Sequence, residues 1–294
     1  MGRLADALKS GAFVVTGEIG PPKGADLQGC LRDAETLRGQ VTAINVTDLQ
    51  SAIMRIGSLA VCARLVERGL EPVFQLACRD RNRLALQSDL LSAWALGIEN
   101  VLCITGDHPV LGDHIEAKPV YDLDSVQLLK AVSTLNDGLD MAGHDLETRP
   151  GLFAGAVVTP GAEPVEPQLI KMKKKIEAGA CFFQTQAVYE PDRFERFMDQ
   201  AQALGVPVIA GMVILKGVGM ARFMNANVAG ITVPDSMISE MQDTRREDRK
   251  KKAVEISARI IRQIKPLCQG IHIMPLGWED LVPEIIQEAG LASG

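Results

Sequence analysis

The segment Glu99–Pro109 reads Glu-Asn-Val-Leu-Cys-Ile-Thr-Gly-Asp-His-Pro: a short apolar run, Val101 to Ile104, that stops abruptly at Thr105-Gly106-Asp107. An apolar run of this length between turn residues reads as a buried parallel strand. A carboxylate just past the C-terminal end of such a strand lies where α/β folds keep their chemistry. Asp107 is therefore a candidate functional residue. The alternative is a turn or helix N-cap carboxylate, which Asp favours after Gly. Gly106 would let a flat ligand or a phosphate approach the backbone, although an ordinary turn needs Gly just as often.

Other strand ends offer further candidates. Glu18 closes an apolar run and is followed by Ile19-Gly20-Pro21-Pro22, a loop that cannot shield it with a helix. A carboxyl partly buried against a ring has its pKa raised and can donate a proton near neutrality, whereas a structural acid would hold a backbone amide or an Arg. Gln186 ends a run that includes Phe182 and Phe183. Its amide presents a donor and an acceptor, which suits the edge of a heterocycle, or it caps a loop. Lys173-Lys174-Lys175 reads as a solvated helix face from which one lysine can turn towards a phosphate. The strand ends hold no convergent His, Asp and Glu set, so no metal is expected; His108 and His114 flank the loop after strand four without further support. GxGxxG after a strand and GxxxxGK[ST] are both missing from the sequence.

These residues need strands to carry them. Apolar, β-rich runs recur at Phe13–Glu18, Val41–Thr47, Pro72–Cys78, Asn100–Thr105, Leu152–Val158, Cys181–Gln186, Val206–Ile214 and Ile271–Met274. Between them, helical periodicity predicts helices over Leu27–Leu37, Ile53–Arg68, Leu84–Leu96, Ser125–Leu135, Glu166–Ala178, Asp192–Leu204 and Arg249–Ile264. Gly97 and Gly179 stand as stops. The less regular stretch 217–242 is expected to carry extra helices near Ala221–Ala226 and from Asp235. Strand–helix alternation without a Pro/Ser-rich linker implies parallel strands joined by right-handed crossovers. Eight units in 294 residues fit a (β/α)8 TIM barrel, an α/β fold, better than a doubly wound sheet, with residues 1–294 as one catalytic domain.

Composition narrows the class. A 47% hydrophobic and 23% charged chain is ordinary for a globular enzyme, and its net charge of −6 argues against nucleic acid as the main partner. The basic cluster from Arg245 to Lys252 is broken by Glu247 and Asp248 and reads as a solvated helix face. The six cysteines include no CxxC pair, and Cys78, Cys103 and Cys181 are expected as small buried hydrophobes. A reduced, cytoplasmic setting is expected, with no membrane partner.

Four stretches together resemble the methylenetetrahydrofolate reductase family: Gly17-Glu18-Ile19-Gly20-Pro21-Pro22; Cys78 to Arg83 followed by Gln87-Ser88-Asp89-Leu90-Leu91; Ile104-Thr105-Gly106-Asp107; and Lys173–Ala180 running on to Thr185-Gln186. The C-terminal Gly270-Ile271-His272-Ile273-Met274-Pro275 also looks familial. The likeness covers nearly the whole chain and is nearest to the short bacterial form, which has the catalytic barrel alone. It implies a non-covalent flavin, FAD or alternatively FMN, reduced by NADH, NADPH or a partner subunit. That flavin would pass a hydride to 5,10-methylenetetrahydrofolate to give 5-methyltetrahydrofolate.

By the resemblance, Glu18 matches the acid, Asp107 the aspartate near flavin and pterin, and Gln186 the amide that contacts folate. Thr47 and Lys175 match flavin-binding positions, and Gln75, Thr105, Gly106 and Thr159 fall on the same cofactor surface. Several positions depart from the enterobacterial type of the family. Gln75 replaces a His and Thr105 an Arg, Thr159 and Glu163 stand for a Tyr and a His, Gln168 for an Asp, and Val218 for a Phe. A homo-oligomer is expected. The competing readings are a flavin-free pterin-binding methyl-transfer barrel, and a flavin subunit active only within a larger electron-transfer complex.

Overall fold

A computed structural model describes residues 2–291 of the chain. Eight parallel strands close into a barrel in sequence order: β1 (Val14–Ile19), β2 (Ala43–Val46), β3 (Pro72–Ala77), β4 (Asn100–Ile104), β5 (Phe153–Val158), β6 (Phe182–Ala187), β7 (Val208–Val213) and β8 (Gly270–Met274). Each strand falls on one of the apolar runs read from the sequence. The doubly wound alternative is excluded, because β8 pairs with β1, Val14 opposite Gly270.

The helices are α1 (Arg3–Lys9), α2 (Gln28–Thr36), α3 (Ser58–Glu67), α4 (Arg83–Ala95), α5 (Ser125–Asn136) and α6 (Glu166–Glu177). They continue as α7 (Pro191–Ala201), α8 (Val218–Asn227), α9 (Asp235–Asp243), α10 (Arg249–Ile264) and α11 (Val282–Glu288). The two extra helices expected within 217–242 are α8 and α9. The helix expected over Ile53–Arg68 starts only at Ser58. Arg55 Nη1 donates to Pro21 O and Ile56 N to Pro22 O, which holds that stretch extended against the loop after β1. Cys181, expected inside, is exposed. Leu84 and Leu96, counted on the apolar face of α4, are turned to solvent. In the basic cluster Arg245, Arg246, Lys250 and Lys251 are exposed, as a solvated face requires, while Arg249 buries its Nε.

Alternation along the strands divides the barrel wall in two. Outward residues such as Val15, Ile44, Phe74, Cys103 and Phe183 pack under the helices in the main core. Inward residues at the N-terminal ends, Val14, Ala43, Val73, Leu102, Phe153, Phe182 and Ile209, form a second cluster closed by Leu4, Ala5 and Leu8 of α1. The Phe182 ring occupies this floor because residue 155 is glycine; a Cβ there would lie 2.2 Å from Phe182 Cζ. Helix α1 is a plug that the sequence reading did not anticipate. Glu71 anchors it by accepting from Arg3 N and Leu4 N at 2.7 and 2.9 Å, where the helix dipole favours an acid.

Candidate active site

Above the apolar floor the inward residues change character. Thr16, Asn45, Gln75, Gln184 and His272 lie inside the barrel, all buried. A polar group sealed from water is costly unless it is hydrogen-bonded, and these side chains pair across the interior. Asn45 on β2 and Gln184 on β6 exchange amide hydrogen bonds of 2.7 and 3.1 Å. Thr16 Oγ1 lies 2.9 Å from His272 Nδ1.

Glu18 stands on top of this layer, inward from the C-terminal end of β1, and is only 6% exposed. Gln75 Nε2 donates to its Oε2 at 3.1 Å, and His272 Nε2 faces the same oxygen at 3.5 Å. Neither an arginine nor a backbone amide holds this carboxyl among the described residues. Of the sequence candidates, Glu18 and Gln75 are the pair that the fold joins directly. Thr47 ends β2 on the same rim, and its hydroxyl is buried with no hydrogen-bond partner.

The neighbouring acid Asp48 has a different fate. Its carboxylate accepts from Ala77 N and from both terminal nitrogens of Arg81, which also pairs with Asp89. It is a brace beneath the rim. Arg79, 2% exposed, grips Asp80 and donates to the carbonyls of Leu49 and Asp107 at 3.3 Å each, tying the loops after β2 and β4 together. Gly106 takes φ +88°, and a Cβ there would come within 3.1 Å of Arg79 Cβ, so the turn and the Arg79 brace both require glycine. The brace leaves the Asp107 side chain exposed beyond the end of β4. Asp107 caps no helix: His108 caps the short 3-10 turn that follows, and Asp124 caps α5.

Thr105 Oγ1 lies 3.4 Å from Ser125 N at the start of α5. Thr159, after β5, packs its methyl against Gly230, where a Cβ would lie 2.2 Å away. Gln186 is exposed near the end of β6, in a register shift that separates Gln184 from Ala187. Shifts of this kind re-aim side chains at barrel rims. Of the three consecutive lysines, Lys173 and Lys174 are exposed and Lys175 is buried, its Nζ donating to Val157 O at 2.6 Å. Burial, with Lys171 nearby, lowers its pKa to about 8. His114 is paired with Asp113, which also receives Lys23 and Met54 N. Among the described residues no group of three or more His, Cys, Asp or Glu is arranged to hold a metal ion. No helix among the described residues is long and apolar enough to cross a membrane.

The sequence model of the family described as methylenetetrahydrofolate reductase matches residues 3–290. The chain belongs to that family. It is 24% identical over 321 aligned positions to methylenetetrahydrofolate reductase 2 of Schizosaccharomyces pombe, covering 98% of this chain but only 47% of the yeast protein. The chain therefore spans about half the length of that relative. With the 5,10-methylenetetrahydrofolate reductase of Salmonella typhimurium, identity is 25%, and the match covers 86% of this chain and 82% of the other. Among solved structures, an uncharacterised protein from Clostridium thermocellum described as binding two copies of 5-methyl-5,6,7,8-tetrahydrofolic acid superposes with a TM-score of 0.65. That match has 16% identity and covers 99% of this chain and 97% of that one, a likeness of fold.

Three residues of this candidate site have no role assigned from the sequence: His272, which lies in the familial C-terminal stretch, and the Asn45–Gln184 pair. A usable signal was present. In Thr16-x-Glu18, Asn45-x-Thr47, Gln184-x-Gln186 and His272-x-Met274 a polar residue stands two positions before the strand end, which puts it on the inward face.

Proposed function

We propose that this chain, as one catalytic domain, is a flavin-dependent reductase converting 5,10-methylenetetrahydrofolate to 5-methyltetrahydrofolate. The observation that carries the reading is Glu18: a buried carboxyl at the barrel mouth, steadied on one oxygen by side chains from β3 and β8, in a member of this family. The methylene carbon of the substrate bridges two nitrogens. Opening that bridge to a reactive iminium leaves an amine that must take up a proton, and Glu18 supplies it as general acid. Asp107, exposed on the same rim, orients the pterin, and Gln186 hydrogen-bonds the folate edge. A reduced flavin, when bound, supplies the hydride that turns the iminium carbon into a methyl group.

The residues present fit such a cofactor. Thr47 offers a buried hydroxyl lacking a partner, Gly106 a backbone free of a side chain, and Lys175 a buried cation for a phosphate. The flavin is read as FAD, with NADH or NADPH as its reductant. FMN is the alternative, favoured by one observation: positions 105 and 159 carry threonines engaged with Ser125 and Gly230 rather than charged or aromatic groups.

The test is a visible spectrum of the purified protein, mass identification of the released flavin, and anaerobic addition of methylenetetrahydrofolate to the reduced protein. A yellow protein reoxidised by the folate is expected. A colourless protein that takes up neither FAD nor FMN would overturn the reading.

A further inference from the structure

We propose that His272 is a positioning residue for Glu18, fixing which carboxyl oxygen faces the substrate and stabilising the carboxylate left after proton delivery. The proposal takes Glu18's role from the folate-reducing reading, but its first test does not depend on that reading.

The geometry is directional. β8 lies beside β1 with Thr16 in register with His272, so both side chains enter the barrel at one level. Thr16 Oγ1 sits 2.9 Å from Nδ1, and a hydroxyl that donates there makes Nδ1 the acceptor and places the ring proton on Nε2. Nε2 faces Glu18 Oε2 at 3.5 Å, an electrostatic contact longer than a hydrogen bond. Gln75, reaching in from β3, donates to that same oxygen at 3.1 Å. The Gln75 hydrogen bond and the His272 contact therefore both fall on Oε2, and neither is made to Oε1. A transferable proton belongs on Oε1, the oxygen left for the substrate. When that proton departs, the negative charge develops against the Gln75 hydrogen bond and the facing N–H dipole of His272, both already in place, so little reorganisation accompanies the transfer. His272 is 3% exposed, so its contact with Glu18 is shielded from bulk solvent.

The first test is long-range 1H–15N correlation on the full-length protein with 15N-labelled histidine. The chain has four histidines, and the other three, His108, His114 and His144, are exposed, so His272→Gln assigns the buried signal. The expected result is a protonated Nε2 whose nitrogen shift moves in Glu18→Gln while the other three rings stay unchanged. An unprotonated Nε2, or a signal indifferent to Glu18→Gln, overturns the proposal.

The second test separates positioning from packing. Gln at 272 puts its amide nitrogen near the place of Nε2, while Asn puts its own near Nδ1. His272→Gln should therefore keep kcat within about threefold of the parent, the effect of an N–H dipole restored in slightly altered geometry. His272→Asn should lower kcat by about 10- to 100-fold with folate KM unchanged, the usual size of a lost contact to a charged group. Equal kcat in the two variants, or a change confined to KM, overturns the proposal. If the parent protein reduces no folate at all, the functional reading fails, and the histidine spectrum still decides whether His272 holds Glu18.

Discussion

The two ends of this barrel are built from opposite materials. At the bottom, seven inward side chains are apolar, a helix plugs the opening, and Phe153 stacks on Phe182 with ring centroids 5.3 Å apart. At the mouth, the same alternation delivers Glu18, Thr47, Gln75 and Gln184, with buried charges held by specific partners. The backbone divides in the same way. Turns at the bottom that need left-handed geometry use glycine, as at Gly39, Gly69, Gly97, Gly179 and Gly205. The non-glycine residues with positive φ, Leu49, Ser51, Ala52, Tyr121 and Leu276, all lie on loops that follow strands. Strained backbone of this kind persists where surrounding structure over-determines it, and it gathers at functional sites. One end of the barrel is optimised for stability and the other departs from it where chemistry is placed.

The largest effect expected from breaking this division is at Glu18. Glu18→Gln keeps the shape of the side chain and removes its proton, so folate reduction should fall by about 10²- to 10⁴-fold. On the proposed flavin mechanism, reduction of the flavin by its donor should continue, because that half-reaction needs no proton from this group. Stopped-flow traces of the two half-reactions check both statements; equal losses in the two would remove Glu18 from the role of acid.

Phe182→Ala is the matching change at the floor. It empties the most crowded part of the apolar cluster and should cost about 3–5 kcal/mol in urea unfolding. Turnover per folded molecule should stay near the parent value. A variant of parental stability would show that the plug, not the ring, closes the floor.

Lys175 tests the mouth's tolerance of buried charge through pH. An ordinary lysine holds its proton to 10.5, whereas burial lowers this one to about 8. Between those values the unfolded chain binds more protons than the folded one, so stability rises with pH across that window. Relative to Lys175→Met, the parent should gain on the order of 3 kcal/mol between pH 8 and 10.5, judged by the size of the shift. Lys175→Met should be the more stable protein at pH 7, since it buries no cation there. Melts from pH 7 to 10 that run parallel for the two proteins would place the ammonium in contact with water.

What the sequence revealed follows the same division. All eight strands were legible, because a strand buried on both faces reads as a continuous apolar run, and so was the parallel barrel they form. Glu18 was visible because a charge ending such a run is conspicuous. His272, Asn45 and Gln184 were not, because a single polar residue inside an apolar run looks like noise until a partner on a distant strand is known. Asp48 and Asp107 occupy equivalent places in the sequence, each just past a strand, yet one is clamped by Arg81 and the other is exposed. Nothing local distinguishes them; Arg81 does, from another loop. Helix α1 escaped because seven residues carry too little periodicity to register, and its apolar face, Leu4, Ala5 and Leu8, has meaning only against the barrel floor.

The smallest expected effect bears on the backbone half of the comparison. Ala52 holds φ 57° in the loop after β2, a geometry that costs an L-residue about 1–2 kcal/mol. Ala52→Gly removes that cost and loosens the unfolded chain by about 0.4–1 kcal/mol, leaving a net stabilisation of roughly 0.5–1 kcal/mol. Gly69→Ala, at a bottom turn with φ +68° and open space around the added carbon, should move the other way by a similar amount. Paired urea melts of the two variants measure the difference directly. Opposite signs mean that the mouth loop stores strain which the bottom turns avoid. Destabilisation by Ala52→Gly would instead mean that the Ala52 methyl is packed well enough to stabilise its own left-handed turn, and strain at the mouth would then be confined to its neighbours Leu49 and Ser51.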